Sequence, residues 1–223
     1  MPVAQPTHQP CPTLRHGRIT TVLLAILLLS ACSSVRTNDL SVDNKNQLWR
    51  HHFVQIAALD GWYARAKIAV YAKGQGVGGH LSWQQTLNDY EIDFVGPLGI
   101  GLMRIIGNDT MTSLQIPDKP LYKGHSPEQL IQRHTGYQLP VSQLYYWARG
   151  IPNPKLPFVK QLNRSGQLQQ LTQMGWNIEY LAYNNQASLT LPSKIVMTKD
   201  SFKIKLVRLS WQATHSSAHS FDL

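Results

Sequence analysis

The chain has 223 residues, of which 43% are hydrophobic, and 21 Lys and Arg outnumber 12 Asp and Glu to give a formal charge of +9. That length fits one domain with a sizeable core, and two cysteines exclude a disulfide framework, so the fold must be held by packing. The positive excess favours a membrane surface over nucleic acid as partner, because the chain has no long Lys/Arg cluster and no nucleic-acid recognition motif.

The N-terminal segment has the pattern of a bacterial signal peptide. Arg15 and Arg18 precede an apolar run over 22–29, which is far shorter than the roughly 20 apolar residues of a membrane-spanning helix. The run ends in Leu-Ser-Ala-Cys at 29–32, which resembles the lipobox, where a cysteine is diacylated and becomes the first mature residue. We therefore predict a lipoprotein signal peptide over 1–31 and covalent lipid, a diacylglycerol and an N-acyl chain, on Cys32. The alternative is an ordinary secretory signal with a chance cysteine at the cleavage point.

The segment after the cysteine predicts a tether followed by a short helix. Residues 32–46 are polar and lack periodicity, as expected of a lipid-anchored tether. Ser33 stands where lipoproteins retained in the inner membrane generally carry Asp, so by analogy we expect the periplasmic face of the outer membrane. Apolar residues recur at three- and four-residue steps over 48–59, which predicts an amphipathic helix. A folded domain is predicted over 47–213, and a loose tail over 214–223.

The residues after this helix alternate as antiparallel strands do. Apolar side chains occupy every second position from Trp62 to Ala72, and a glycine-dense stretch over 74–79 then turns the chain; we interpret it as a flexible hairpin end. Further strands are predicted over 77–85, 90–95, 102–106 and 110–116 and around 121–122. Six antiparallel strands with short turns curve readily into a half-barrel.

Two helices and more strands complete the predicted fold. Ser126 as N-cap and Pro127 at the first helical position predict a helix to about His134, stopped at Gly136, and a second helix is predicted over 141–149. Four strands, over 167–174, 176–183, 189–198 and 202–211, follow the Pro-rich link 151–157. This order predicts a mainly β fold with helices (α+β), an incomplete antiparallel β-barrel with a helical lid over a hydrophobic cavity.

Catalytic and metal-binding patterns are not found. His51 and His52 are adjacent on a helix and cannot point at one site, while His215 and His219 lie in the tail without a third ligand. Nucleophile elbows, phosphate loops and zinc-protease motifs are missing from the sequence. We therefore predict neither an enzyme nor a metal site, and no cofactor beyond the lipid on Cys32.

Aromatic residues are more numerous than strand alternation requires. The candidates for a cavity wall are Trp62, Trp83, Phe94, Trp147 and Trp176. Each of them singly is typical of an ordinary core. Together with a curved sheet and a helical lid, they predict a cavity for an apolar ligand.

Several segments together resemble the LolB family of outer-membrane lipoprotein receptors. They are Leu-Ser-Ala-Cys at 29–32, Trp49 with its helix, the strand 63–70, Trp83-Gln84-Gln85, the segment 90–99 with its Gly-Pro-Leu-Gly, and Trp-Ala-Arg-Gly-Ile-Pro at 147–152. The resemblance runs through almost the whole mature chain. It implies a hydrophobic cavity that accepts the acyl chains of lipoproteins from the periplasmic carrier LolA and passes the cargo to outer-membrane phospholipid, and we expect the protein to act as a monomer.

The resemblance also implies a role for the leucine of the Gly-Pro-Leu-Gly segment. The family's protruding leucine loop maps onto Leu98, which with Ile100 would form an apolar tip that dips into the bilayer and delivers cargo. The alternative is a turn leucine folded back onto the sheet edge. Two other functions stay open at this point: an assembly lipoprotein whose apolar groove binds a protein segment, and an envelope hydrolase, for which no nucleophile and base are evident.

Overall fold

The computed structural model describes residues 41–72, 74–97, 101–186 and 189–214. In these ranges the helices are α1 Val42–Ala57, α2 Pro127–Thr135 and α3 Val141–Trp147. The strands are β1 Gly61–Ala72, β2 Gln75–Thr86, β3 Asp89–Val95, β4 Leu102–Gly107, β5 Thr112–Gln115, β6 Tyr122–Gly124, β7 Phe158–Leu162, β8 Leu168–Gln173, β9 Trp176–Gln186, β10 Leu189–Lys199 and β11 Phe202–Ala213. No helix within the described ranges has the length and hydropathy needed to cross a bilayer.

All of these strands belong to one antiparallel sheet. Its order is β6-β5-β4-β3-β2-β1-β11-β10-β9-β8-β7, so the pairing of β1 with β11 joins the strands before the helical pair to those after it. The edge strands β6 and β7 do not pair with each other in the described sheet, which is therefore open. Helix α2 packs against β5, β6 and α3. The predicted incomplete barrel with helices is confirmed.

The direction of the strands defines two ends of the sheet. Neighbouring strands are antiparallel, so the β1–β2 and β3–β4 connections lie at one end and the β2–β3 and β4–β5 connections at the other. We call the first of these the β3–β4 end and the second the β2–β3 end.

The core lies on one face of the sheet because side chains alternate across a strand. In β1 the buried positions are Trp62, Ala64, Ala66, Ile68, Val70 and Ala72, as the sequence predicted. At the β2–β3 end this face is filled by three indole rings, those of Trp62, Trp83 and Trp211. The ring centroid of Trp62 lies 5.3 Å from that of Trp83 and 5.2 Å from that of Trp211. Only about 20 Å³ of free space remains among these rings.

A buried arginine joins helix α1 to helix α3. The Arg149 guanidinium donates to the carbonyls of Ile56, at 3.2 Å, and Tyr145, at 2.9 Å, and lies 3.9 Å from the Tyr145 ring centroid. Burial lowers the pKa of Arg149, and no carboxylate among the described residues pairs with it. Carbonyls at the end of a helix carry partial negative charge, so the cation stabilises the end of α1.

Helix α1 and the strands after α3 differ from the prediction. Helix α1 begins at Val42 rather than near Leu48, so 42–46 of the predicted tether are helical, with the Ser41 hydroxyl accepting from the Asn44 amide at 3.3 Å. Strand β7 was missed, and five strands rather than four follow α3. Both segments lack a clear apolar period: the first turns of α1 are polar and exposed, and β7 is a short edge strand directly after the Pro-rich link.

The glycine-dense stretch is a strand rather than a loose hairpin end. Strand β2 pairs with β1 from Gln75 onward. A Cβ on Gly76 would meet the Tyr71 ring at 3.0 Å, and one on Gly79 would meet the Phe94 ring at 2.9 Å and collide with the carbonyl oxygen of Val95. Glycine is required at Gly79 because the backbone of the neighbouring strand leaves no room for a side chain, whereas at Gly76 the Tyr71 ring would have to shift.

Candidate functional site

An apolar cavity of about 340 Å³ lies between the sheet and the two lid helices. One wall comes from alternate residues of β1 to β4, which face the same side of the sheet. The other comes from α2, the link after it and α3. The lining residues are Ile68, Val70, Val77, Leu81, Trp83, Ile92, Phe94, Gly96, Gly101, Met103, Ile105, Pro117, Ile131, Thr135, Tyr137, Leu139, Val141 and Leu144.

The cavity lies in the half of the sheet towards the β3–β4 end. Gly79 is on the inward side of β2 between Val77 and Leu81, but the Phe94 ring covers its backbone, so Phe94 forms the wall at that point. The lid contributes mainly aliphatic side chains. Ile131, Val141 and Leu144 are buried on the helix faces that point at the sheet.

The wall of the cavity is almost entirely apolar. None of its described lining residues is charged, and the Thr135 hydroxyl is already used, since it donates to the Ile131 carbonyl at 2.7 Å. Binding in such a space depends on apolar area removed from water and not on directed hydrogen bonds. A volume of about 340 Å³ lies near the lower bound of ligand pockets, roughly 300–1,000 Å³.

Two of the five candidate aromatic residues lie in the cavity wall. Trp83 and Phe94 line it, whereas Trp62, Trp147 and Trp176 lie in the core outside the lining. Trp62 is on the cavity-facing side of β1 but near its first residue, where it packs with Trp211.

Trp147 and Trp176 pack at strands β8 and β9, away from the cavity. The Trp147 ring lies 6.1 Å from that of Trp176, and its indole N–H donates to Gln173 at the end of β8 at 2.8 Å. Helix α3 therefore divides its contacts, with Val141 and Leu144 towards the cavity and Trp147 towards β8 and β9.

The remaining predicted site residues, Cys32, Leu98 and Ile100, lie outside the described residues. The residues that flank the predicted leucine tip are described: Gly96 and Gly101 both line the cavity. Val77 and Leu102, at the same end, are each 39% exposed. The cavity therefore reaches the end of the sheet from which the Leu98 segment departs.

The sequence interpretation missed the aliphatic majority of the wall. Leu81, Ile92, Met103 and Ile105 stand on alternating strand positions, and that alternation was the available signal. It identifies the inward face but does not separate a filled core from a cavity.

Within the described ranges, no group of three or more His, Cys, Asp or Glu side chains that could hold a metal ion occurs.

A family model and individual known proteins both match most of this chain. The family model for the outer membrane lipoprotein LolB matches residues 60–211. The outer-membrane lipoprotein LolB of Pseudomonas putida is 34% identical over 200 residues, which cover 89% of this chain and 96% of that protein. The LolB of Stutzerimonas stutzeri is 34% identical over 188 residues, covering 83% of this chain and 91% of its own length.

A solved structure shares the fold at low sequence identity. It is a putative outer membrane lipoprotein-sorting protein domain from Vibrio parahaemolyticus, with a TM-score of 0.50 and 7% identity over 78% of this chain and 95% of that one.

Proposed function

Because this chain belongs to the LolB family of outer-membrane lipoproteins, we propose that it accepts lipoproteins from the periplasmic carrier LolA by binding their acyl chains in the apolar cavity, and that it inserts them into the outer membrane. The observation that carries the proposal is the cavity of about 340 Å³ under the lid, whose described lining has no charged side chain. Non-covalent binding is sufficient for this role, so the proposal includes no catalytic step.

The energy of acyl-chain burial explains why a cavity is needed. Burying a methylene is worth about 0.8 kcal/mol, so a chain of about sixteen carbons gains roughly 12 kcal/mol gross. A chain held that strongly cannot pass through water on a useful timescale. Transfer must proceed from one apolar site directly to another, and a deformable aliphatic wall is suited to it.

The alternative, a groove for a protein segment, has less support from this site. A bound segment would bring backbone N–H and C=O groups that need partners when buried. The described lining offers few polar groups, and its threonine hydroxyl is engaged within α2. Acyl chains need no such partners.

The anchor is part of the same proposal. In it, Cys32 carries a diacylglycerol and an N-acyl chain and is the first residue of the mature protein. Mass spectrometry of the mature protein is expected to show an N-terminal acylated peptide beginning at Cys32, and Cys32→Ala should leave the chain unlipidated. Fully lipidated mature protein from that variant would contradict the assignment.

A cavity-filling substitution tests the function directly. Leu81 lines the cavity, and a tryptophan there would occupy space that the acyl chain needs. We expect Leu81→Trp to lower the initial rate of cargo transfer from loaded LolA to vesicles bearing the anchored protein by at least tenfold. Folding should be retained, because the larger side chain enters existing free space.

The adjacent residue supplies a matched control. Ser82 pairs with Asp93 and points to the opposite face of the sheet, so Ser82→Trp adds the same ring outside the cavity. It should transfer cargo at the wild-type rate. Wild-type transfer by a folded Leu81→Trp protein would remove the cavity from the function.

A further inference from the structure

A second cavity, of about 490 Å³, opens at the β2–β3 end of the sheet. It lies between the β2–β3 and β4–β5 connections, the start of α3 and the link that follows α3. We call it the polar cleft, because polar side chains form most of its wall, among them Asn108, Asp109, His125, Gln143, Tyr146 and Lys155. Trp83 and Val141 line both the polar cleft and the apolar cavity.

The boundary between the two spaces is one side chain thick at Trp83. This side chain contributes to the apolar wall, while its indole N–H donates to the side-chain oxygen of Gln85 at 3.1 Å. Gln85, which lines the polar cleft, donates in turn to the Leu87 carbonyl at 2.8 Å. An elongated ligand that passed Trp83 would therefore go from apolar to polar surroundings within a few ångströms.

The wall of the polar cleft is held by hydrogen bonds within the fold. The Asn153 amide donates to Gln143 at 3.2 Å, and a ring nitrogen of His125 lies 2.8 Å from the Thr110 carbonyl oxygen. The first contact ties α3 to the link after it, and the second ties the segment before α2 to the β4–β5 connection. The cleft therefore exists before any ligand arrives.

Three other groups in the cleft have hydrogen-bonding capacity to spare. The Asp109 carboxylate, the Lys155 ammonium and the Tyr146 hydroxyl make no hydrogen bond to any described residue. Burial, followed by the neighbouring Tyr145, raises the pKa of Tyr146, so its hydroxyl remains a donor at neutral pH. The set comprises an anionic acceptor, a cationic donor and a neutral group that can do both.

Such a mixture suits a polypeptide better than a singly charged ligand. Every peptide unit presents a donor and an acceptor, whereas an anionic head group would be repelled by the Asp109 carboxylate. A lipoprotein carries its acyl chains on its first residue, so the residues that follow must leave the apolar cavity close to where the chains enter.

We propose that the polar cleft holds the first residues of the cargo polypeptide after its acylated cysteine, while the acyl chains lie beyond Trp83 and Val141 in the apolar cavity. This inference rests on the proposed function. It places the hydrophilic part of the cargo at the β2–β3 end and directs its chains towards the β3–β4 end, where Gly96 and Gly101 line the cavity. Cargo held in this way would meet a membrane at that end with its chains first.

Photo-crosslinking of the full-length acylated protein in phosphatidylcholine vesicles tests the inference with three probes. The first is a triacylated lipopeptide with a diazirine on the residue after its cysteine, the second is palmitic acid with a terminal diazirine, and the third is phosphatidylglycerol with a diazirine on its head group. We expect the lipopeptide to label 108–109, 142–146 and 153–155, and palmitic acid to label the apolar wall around Ile92 and Ile105.

Variants separate binding in the cleft from binding in the cavity. Asp109→Asn combined with Lys155→Gln should reduce cleft labelling by the lipopeptide at least fivefold and leave labelling by palmitic acid unchanged. Asp118→Asn combined with Lys119→Gln, the same changes at exposed positions in the β5–β6 connection at the β3–β4 end, should alter neither.

The outcomes are distinguishable. Lipopeptide labelling at the β3–β4 end, or cleft labelling that the Asp109 and Lys155 changes leave intact, would overturn the inference. Cleft labelling by the head-group probe but not by the lipopeptide would also overturn it and would assign the cleft to phospholipid. Failure of palmitic acid to label the apolar wall would overturn the proposed function itself, and the inference with it.

Discussion

Trp147→Ala is expected to lower the free energy of unfolding by about 3–5 kcal/mol, the usual cost of removing a buried large aromatic side chain. Trp147 is fully buried, and its indole N–H donates to Gln173 at 2.8 Å. The Tyr180 hydroxyl donates to the Trp147 carbonyl at 3.0 Å. For a chain of this size the melting temperature should fall by roughly 6–20 °C, at about 2–4 °C for each kcal/mol. Thermal unfolding of the acylated protein, followed by circular dichroism, measures the shift.

A graded variant shows that this loss comes from packing. Trp147→Phe keeps a ring but removes the N–H donor, and the Gln173 oxygen still accepts from the Asn153 amide at 3.0 Å. The expected cost is about 1–2 kcal/mol. Below their melting temperatures both variants should bind photoactivatable palmitic acid like the wild type, whereas Trp83→Ala, in the cavity wall, should change the labelling. Impaired palmitic acid labelling with an unchanged melting temperature in Trp147→Phe would place Trp147 in the binding site.

The fold could be predicted from the sequence because its signals are local and repeated. Alternation over 62–72 placed the buried face of β1 correctly, and Ser126 and Gly136 set the ends of α2, where Gly136 has a φ of 77°. The cavity wall could be predicted only in part. Trp62 and Trp83 both lie on the inward face, yet only Trp83 borders the apolar cavity, because Trp62 packs among other aromatic rings near the first residue of β1.

Other features left no signal in the residue pattern. Arg149 is almost fully buried and bonds to the Ile56 carbonyl, which is 93 positions away in the chain. The polar cleft is assembled from turns and a link that are far apart in sequence and that individually look like ordinary solvent-exposed loops. Such sites depend on how distant segments meet, which periodicity does not encode.

Leu98→Glu is expected to reduce delivery of cargo to vesicles at least tenfold while leaving acceptance from LolA unchanged. In the proposed mechanism the segment with Leu98 and Ile100 enters the bilayer, and a charged side chain in hydrocarbon costs about 2.5–3.5 kcal/mol. Tenfold corresponds to about 1.4 kcal/mol, so partial insertion is enough for the effect. Delivery is measured as cargo that floats with vesicles after incubation with loaded LolA, and acceptance as cargo lost from LolA.

The surroundings of this segment support the same direction of approach. At the β3–β4 end, half-exposed Val77 and Leu102 flank the cavity, and exposed Lys203 pairs with Tyr71 near the end of β1. Apolar side chains beside a cation suit the boundary between lipid head groups and acyl chains.

Two control variants test whether the charge at position 98 is responsible. Leu181→Glu makes the same change at a 51% exposed position in β9, and a protein with this change should deliver cargo normally. Leu98→Ile keeps an apolar side chain and should preserve delivery. A melting temperature lowered by many degrees in Leu98→Glu would instead place Leu98 in the core, and normal delivery by a stable Leu98→Glu protein would remove the segment from the mechanism.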